Sequence, residues 1–197
     1  MIRLLLITFC LYSASPVSSS VGIGDPLADY TLIGLDGRAM RLGDFPTNKA
    51  RLLVFFSIEC PTSRIYADHL NRIHANYAAR GVTLIGVNAN FNETPEDISS
   101  FASNQNFEFA ILKDVNNRLA DLLDAQSTPH AYLFDVDSIL IYQGEIDNGF
   151  GDPKETTSRG LWDAMDSLLA GRSITQPETR SLGCIIRRVH ARPTEGS

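Results

Sequence analysis

Cysteine is scarce in this sequence. The 197-residue chain has three, Cys10, Cys60 and Cys184. That is too few to staple a disulfide-built miniprotein, and the odd number leaves at least one to be explained apart from pairing. Positive charge is short as well: 17 Lys and Arg stand against 23 Asp and Glu, a net charge of -6. Nucleic acid and anionic membrane both call for a basic footprint, so neither is an expected partner. No Gly-rich phosphate loop supports nucleotide binding. Beyond the first twenty residues no apolar run approaches the roughly 20 residues that cross a bilayer as a helix, so no membrane span is expected. Internal repeats are also missing. What is present is ordinary: 44% hydrophobic and 20% charged residues, the balance of a globular protein, in a length that suits one main domain.

The N-terminus reads MIRLLLITFCLYSASPVSSS. Arg3 precedes an apolar run from Leu4 to Tyr12, and small residues follow from Ser13 to Ser20. This is the layout of a secretory signal peptide, with cleavage fitting Ser19 or Ser20. Cys10 lies in the apolar run and would leave with it. Bulky Phe9 opposes the alternative, a lipoprotein modified at Cys10. An extracytoplasmic location, periplasmic or secreted, is therefore expected. Two cysteines remain, in a compartment that permits disulfides.

The rest alternates between two periodicities. Asp36-Gly37 is a hairpin signal between two short strands. Arg51–Ser57 and Val82–Asn88 are continuous apolar runs that suit buried parallel strands. Ile65, Tyr66, His69, Leu70, Ile73, His74 and Tyr77 recur at helical spacing, with Pro61 in the first turn and Gly81 at the end. Thr94 and Pro95 predict an N-cap and first position for a second helix. A short strand over Phe109–Leu112, a third helix over 116–124, antiparallel strands at 131–136 and 139–143, and a last helix over 161–169 complete the order. Strands alternating with helices predict an α/β domain with a mostly parallel sheet.

Several segments in this order carry a resemblance. Phe55–Ser63, FFSIECPTS, closes a buried strand and opens a helix, and it resembles the active-site turn of the thioredoxin-like superfamily. Thr128-Pro129, before the strand AYLFDV, resembles that fold's cis-proline loop. The stretches GDPLADYTLIGLDGRAMRLGDF and ILKDVNNRLADLLDAQSTPHAYLFD resemble the redoxin branch, the alkyl hydroperoxide reductase and thiol-specific antioxidant (peroxiredoxin-like) family. The resemblance covers about residues 24 to 171. It implies a thioredoxin-like fold, a central mixed sheet with helices on both faces and an N-terminal β-hairpin. The expected division is a leader at 1–20, a redoxin domain at 22–172, and a tail at 173–197 carrying Cys184.

The departures from the family are informative. Thioredoxins use Cys-x-x-Cys, whereas here the turn reads Cys60-Pro61-Thr62-Ser63, without a second sulfur. Ser57 stands where peroxiredoxins have Thr or Ser, Leu53 where they have Pro, and Pro129-His130 where they carry an Arg. Cys60 becomes the expected nucleophile. A helix start favours the reactive thiolate, and the Ser57 and Ser63 hydroxyls are expected to donate to its sulfur. Glu59 opposes a second negative charge. Cys184 is the candidate resolving cysteine, its alternatives being a permanent disulfide with Cys60 or an unpaired thiol. Thr128, Pro129 and His130 are the expected substrate-binding residues, with His130 also a candidate proton donor. No cofactor is expected, and His69 and His74, five apart, do not share a helix face as metal ligands would. Arg187 and Arg188 read as a solvated pair. Asn92-Glu93-Thr94 reads as a glycosylation sequon.

The function expected is that of a thiol-dependent oxidoreductase, antioxidant or thiol–disulfide exchanging. It would act on a peroxide or on a protein or small-molecule disulfide and be recycled by an external thiol. A non-catalytic binding module or a copper-handling module on the same fold is the alternative.

Overall fold

The computed structural model describes residues 20–149 and 154–189. The expected leader and Cys10 lie outside them, apart from Ser20. The apolar run at 51–57 forms β3 (Ala50–Phe55), which lies between β4 (Val82–Asn88), parallel to it, and β7 (His130–Asp135), antiparallel. β5 (Ala110–Lys113) continues the parallel part beside β4. The hairpin of β1 (Thr31–Gly34) and β2 (Ala39–Arg41) turns at Gly37, whose φ of +82° suits glycine, and β1 pairs antiparallel with β5. β8 (Leu140–Gly144) pairs antiparallel with β7. The seven-stranded order is β2-β1-β5-β4-β3-β7-β8.

Side chains alternate across a strand, and the central strands feed two cores. Leu52, Val54, Leu84 and Leu133 pack with Leu70, Ile73, Ile98 and Met165 on one face. Leu53, Phe55, Ile85, Val87 and Tyr132 pack with Leu119, Ala120 and Leu123 on the other. The helices that cover these faces are α1 (Pro61–Ile65), α2 (Ala67–Tyr77), α3 (Pro95–Asn104), α4 (Arg118–Leu122) and α5 (Gly160–Leu169). Thr94 caps α3 by accepting from the Asp97 amide at 3.2 Å, with Pro95 at the first position, as expected.

Two expected helices are shorter. The one beginning at Pro61 breaks at Tyr66, where ψ is 0°. The Tyr66 ring is buried and its hydroxyl reaches the Asp147 carbonyl at 2.7 Å and Oδ1 at 2.8 Å. A 3-10 turn at Ala78–Arg80 then leads to Gly81, with φ +94°. The third helix begins at Arg118 rather than 116, because Asn116 and Asn117 take left-handed backbone, φ +63° and +58°. The Asp114 carboxylate accepts from the Leu119 and Ala120 amides at 3.0 and 2.8 Å, replacing a conventional cap. Among the described residues no helix is long and apolar enough to cross a membrane.

The tail is not loose. A parallel bridge joins Gln143 to Glu178, and β9 (Cys184–Ile185) pairs antiparallel with β6 (Ser127–Thr128). Ile186 is 2% exposed and packs in the core beside α4. The tail thus runs beside β8 at 177–179 and along the loop that precedes β7 at 184–186.

Candidate active site

Cys60 stands at the end of the loop after β3 and caps α1. It is 2% exposed. Its Sγ accepts from the Ser63 amide at 3.5 Å and lies 3.2 Å from the Thr128 carbonyl oxygen. The Thr128-Pro129 peptide bond is cis. Cys184 is joined to Cys60 in a disulfide, with 5.8 Å between the Cα atoms. The register explains this meeting across a sequence separation of 124: Cys184 pairs with Thr128, the residue whose carbonyl faces the Cys60 sulfur. Gly183 makes the approach possible, since a Cβ there would overlap the Thr128 carbonyl and crowd Pro129 N at 3.3 Å. Ser181 Oγ adds a hydrogen bond to the Pro129 carbonyl.

The serines take different parts from those expected. Ser63 contributes its amide to the sulfur, while its Oγ accepts from the Ser57 amide at 3.3 Å. Ser57 Oγ accepts from the Cys60 amide at 3.1 Å and the Glu59 amide at 3.2 Å, and donates to Glu93. A hydroxyl has one proton, so Ser57 has none left for sulfur. The expectation that the Ser57 hydroxyl donates to Cys60 is thereby corrected. The serines shape the turn, and the backbone supplies the donor.

His130 is also turned elsewhere. Its Nδ1 lies 3.2 Å from Tyr132 Oη, and the two rings sit 4.5 Å apart. Burial pulls its pKa down to about 4, so the ring is neutral near pH 7. Pro129 borders a slot of only about 10 Å³, which also touches Tyr66 and Leu182. That is room for about one water, and the tail strand pairs with Ser127 and Thr128 immediately before Pro129. Among the described residues no three metal-ligating side chains gather.

Of the paired arginines only Arg187 is solvated as expected, its side chain 57% exposed against 9% for Arg188, and both find acidic partners. Arg187 Nη1 meets Glu59 Oε2 at 2.8 Å, so Glu59, also bonded by Asn92 Nδ2 at 3.0 Å, is paired with a cation. Arg188 Nε meets Asp121 Oδ1 at 2.9 Å and a second nitrogen donates to the Ala125 carbonyl. Sequence reasoning treated these residues as surface because their partners are distant in the chain.

A buried polar cluster behind the turn was missed. Glu93 is 2% exposed, and its carboxylate accepts from Ser57 Oγ, the Ile58 and Glu59 amides at 3.0 and 3.2 Å, Asn90 Nδ2 at 3.0 Å, and Asn88 Nδ2. Burial pushes this carboxyl upward, but the hydrogen bonds from Ser57, Asn90, Asn88 and Ile58 outweigh it and hold the pKa below its ordinary value. Lys113 Nζ, nearly buried, donates to Asn88 Oδ1 at 2.7 Å, the Glu93 carbonyl at 2.8 Å and the Asn90 carbonyl. Polar Asn88, Asn90 and Lys113 at the ends of two apolar strands were the available signal.

Comparison with known proteins agrees with this geometry. The AhpC/TSA family matches residues 23–143. The chain is 25% identical over 117 residues to a thiol-disulfide oxidoreductase ResA of Geobacillus thermodenitrificans, a match over 59% of this chain and 66% of that protein. Among solved structures, a hypothetical protein from Sinorhizobium meliloti 1021 superposes with a TM-score of 0.78 and 28% identity, over 88% of this chain and 98% of that one. The peroxidoxin BcpB of Mycobacterium tuberculosis, at 17% identity and a TM-score of 0.62 over 78% and 99%, shares the fold. That fold is thioredoxin-like, with the N-terminal hairpin at one edge of its mixed sheet, and by its sequence the chain belongs to the AhpC/TSA family.

Proposed function

We propose that this protein is an extracytoplasmic thiol-dependent oxidoreductase in which Cys60 is the nucleophile and Cys184 resolves it. The observation that carries this reading is the Cys60–Cys184 pair itself, one sulfur capping a helix beside a cis-proline loop and the other brought to it on the tail. The ResA and family similarities support the activity class. The leader-like N-terminus and the disulfide support an oxidising compartment.

In the dithiol form the Cys60 thiolate attacks one sulfur of a substrate disulfide. A mixed disulfide forms on Cys60 and the other substrate sulfur leaves as thiolate. The Cys184 thiolate then attacks the Cys60 sulfur, expels the second substrate thiolate and closes Cys60–Cys184. Two electrons pass from protein to substrate, and an external thiol restores the dithiol. With a hydroperoxide, Cys60 would become a sulfenic acid as the alcohol leaves, and Cys184 would displace water. Disulfide exchange is the better-supported substrate class, because the similarity to ResA is to a thiol-disulfide oxidoreductase, while His130 stands in place of the peroxiredoxin Arg.

Reduced protein mixed with glutathione disulfide tests the assignment. Wild type should oxidise faster than free cysteine at the same pH, Cys184→Ser should accumulate glutathione on Cys60, and Cys60→Ser should lose the accelerated phase. A wild type no faster than free cysteine would contradict the proposal. The burial of Cys60 favours a second reading, a permanent staple in a non-catalytic module; its mark would be resistance to millimolar dithiothreitol in the folded protein.

A further inference from the structure

The Glu93 carboxylate plays no part in the steps above, yet it is the most densely bonded side chain near them. An ionised carboxylate buried at 2% exposure is costly unless its oxygens are satisfied. Here five donors surround it. Three belong to the turn that delivers Cys60: the Ser57 hydroxyl and the Ile58 and Glu59 amides. Taking the Ser57 proton leaves that oxygen's lone pairs for the Cys60 amide. The fourth donor, the Asn90 amide group, faces the other way as well. Its Oδ1 accepts from the Arg187 amide at 2.8 Å, and the neighbouring Phe91 amide donates to the Arg187 carbonyl at 3.0 Å. Arg187 is three residues beyond Cys184. Asn88, the fifth donor, links the carboxylate to the Lys113 ammonium.

We propose that Glu93 is the positioning residue of the redox pair: its carboxylate fixes the Ser57–Cys60 turn directly and the Cys184 tail through Asn90. The inference rests on Cys60 and Cys184 being a reversible pair. The Glu93 carboxylate bonds to Ser57, Ile58, Glu59, Asn88 and Asn90 rather than to either sulfur; it acts by holding the two backbones that bear them. Removing its charge should therefore weaken the closed disulfide more than the open dithiol, because only the closed form requires the turn and the tail in register. A neutral amide at position 93 also turns one acceptor into a donor against the Ser57 hydroxyl and the amides, leaving donors unpaired.

The test is the equilibrium of Cys60–Cys184 in glutathione redox buffers, read by acid quench, alkylation and mass spectrometry. Urea unfolding of the oxidised and reduced forms runs in parallel. Glu93→Gln should lower the equilibrium constant about tenfold, or about 30 mV for this two-electron couple. It should destabilise the oxidised form more than the reduced form. Asn90→Ala keeps the carboxylate and Lys113 and cuts only the tail arm. It should lower the same constant about threefold and serves as the deciding variant if Glu93→Gln does not fold. An unchanged glutathione equilibrium, with equal loss of stability in both forms, would overturn the proposal and leave Glu93 a support of the fold alone. The equilibrium does not depend on turnover, so a protein that formed the pair but catalysed nothing would refute the oxidoreductase reading while still testing Glu93.

Discussion

The two halves of the Cys60–Cys184 pair are built differently. Cys60 belongs to the core: the strand before it is buried along its whole length except at Arg51, the helix after it begins at Pro61, and a fully bonded carboxylate backs its turn. Cys184 belongs to an attached strand of two residues, held by the buried Ile186 side chain, by the ion pairs of Arg187 and Arg188 and by backbone hydrogen bonds to a loop. Cys60 is a product of the fold, and Cys184 is recruited by it. The strength of the disulfide should therefore respond more to tail contacts than to the stability of the domain.

Breaking the tail at its tightest point should have the largest effect. Gly183→Ala places a methyl against the Thr128 carbonyl. An overpacking cost of about 3 kcal/mol, borne by the docked tail, would lower the disulfide equilibrium constant about 100-fold in a glutathione titration. The urea midpoint of the reduced form should change little. Equal loss in both forms would erase the distinction between core and tail.

The core half should show itself in acid. His130 titrates near 4 when folded, against an ordinary value of 6.5, because burial disfavours its charge. The unfolded chain therefore binds more protons between pH 6.5 and 4, and stability falls as the pH drops through that window. At full extent the loss is about 3 kcal/mol. Glu93, with its folded pKa lowered, acts in the same direction as carboxylates protonate in the unfolded chain. Urea midpoints at pH 7.5 and 4.5 should differ accordingly, and His130→Gln should shrink the difference in oxidised and reduced protein alike.

The smallest effect should come from the tail's surface. Arg187→Ala removes an exposed ion pair with Glu59, worth up to about 1 kcal/mol. The glutathione equilibrium should shift by less than about fivefold, and the difference should shrink in 1 M salt, where the Debye length is about 3 Å.

The same division governs what the sequence revealed. The core half was legible: apolar runs became β3 and β4, Thr94-Pro95 opened α3, and Cys60-Pro61 began a helix. These are local signals of periodicity and capping. The cis Thr128-Pro129 bond followed from resemblance. The tail half was not legible, because Arg187, Arg188 and Ile186 find partners at Glu59, Asp121 and the α4 core. Glu93 was read as part of a sequon; its carboxylate meets Ser57–Glu59 across more than thirty residues. Where an acid lies between an apolar strand and a helix cap, local pattern does not tell a solvated carboxylate from a buried clamp.

The most direct measurement is a redox titration of the folded chain in glutathione buffers, with alkylation and mass mapping of Cys60 and Cys184 at each potential. The expected result is a reversible two-electron transition between a Cys60–Cys184 linked peptide and two alkylated thiols, with the domain folded at both ends. Failure to find the linked peptide, or reduction only after unfolding, would contradict a redox pair at this site.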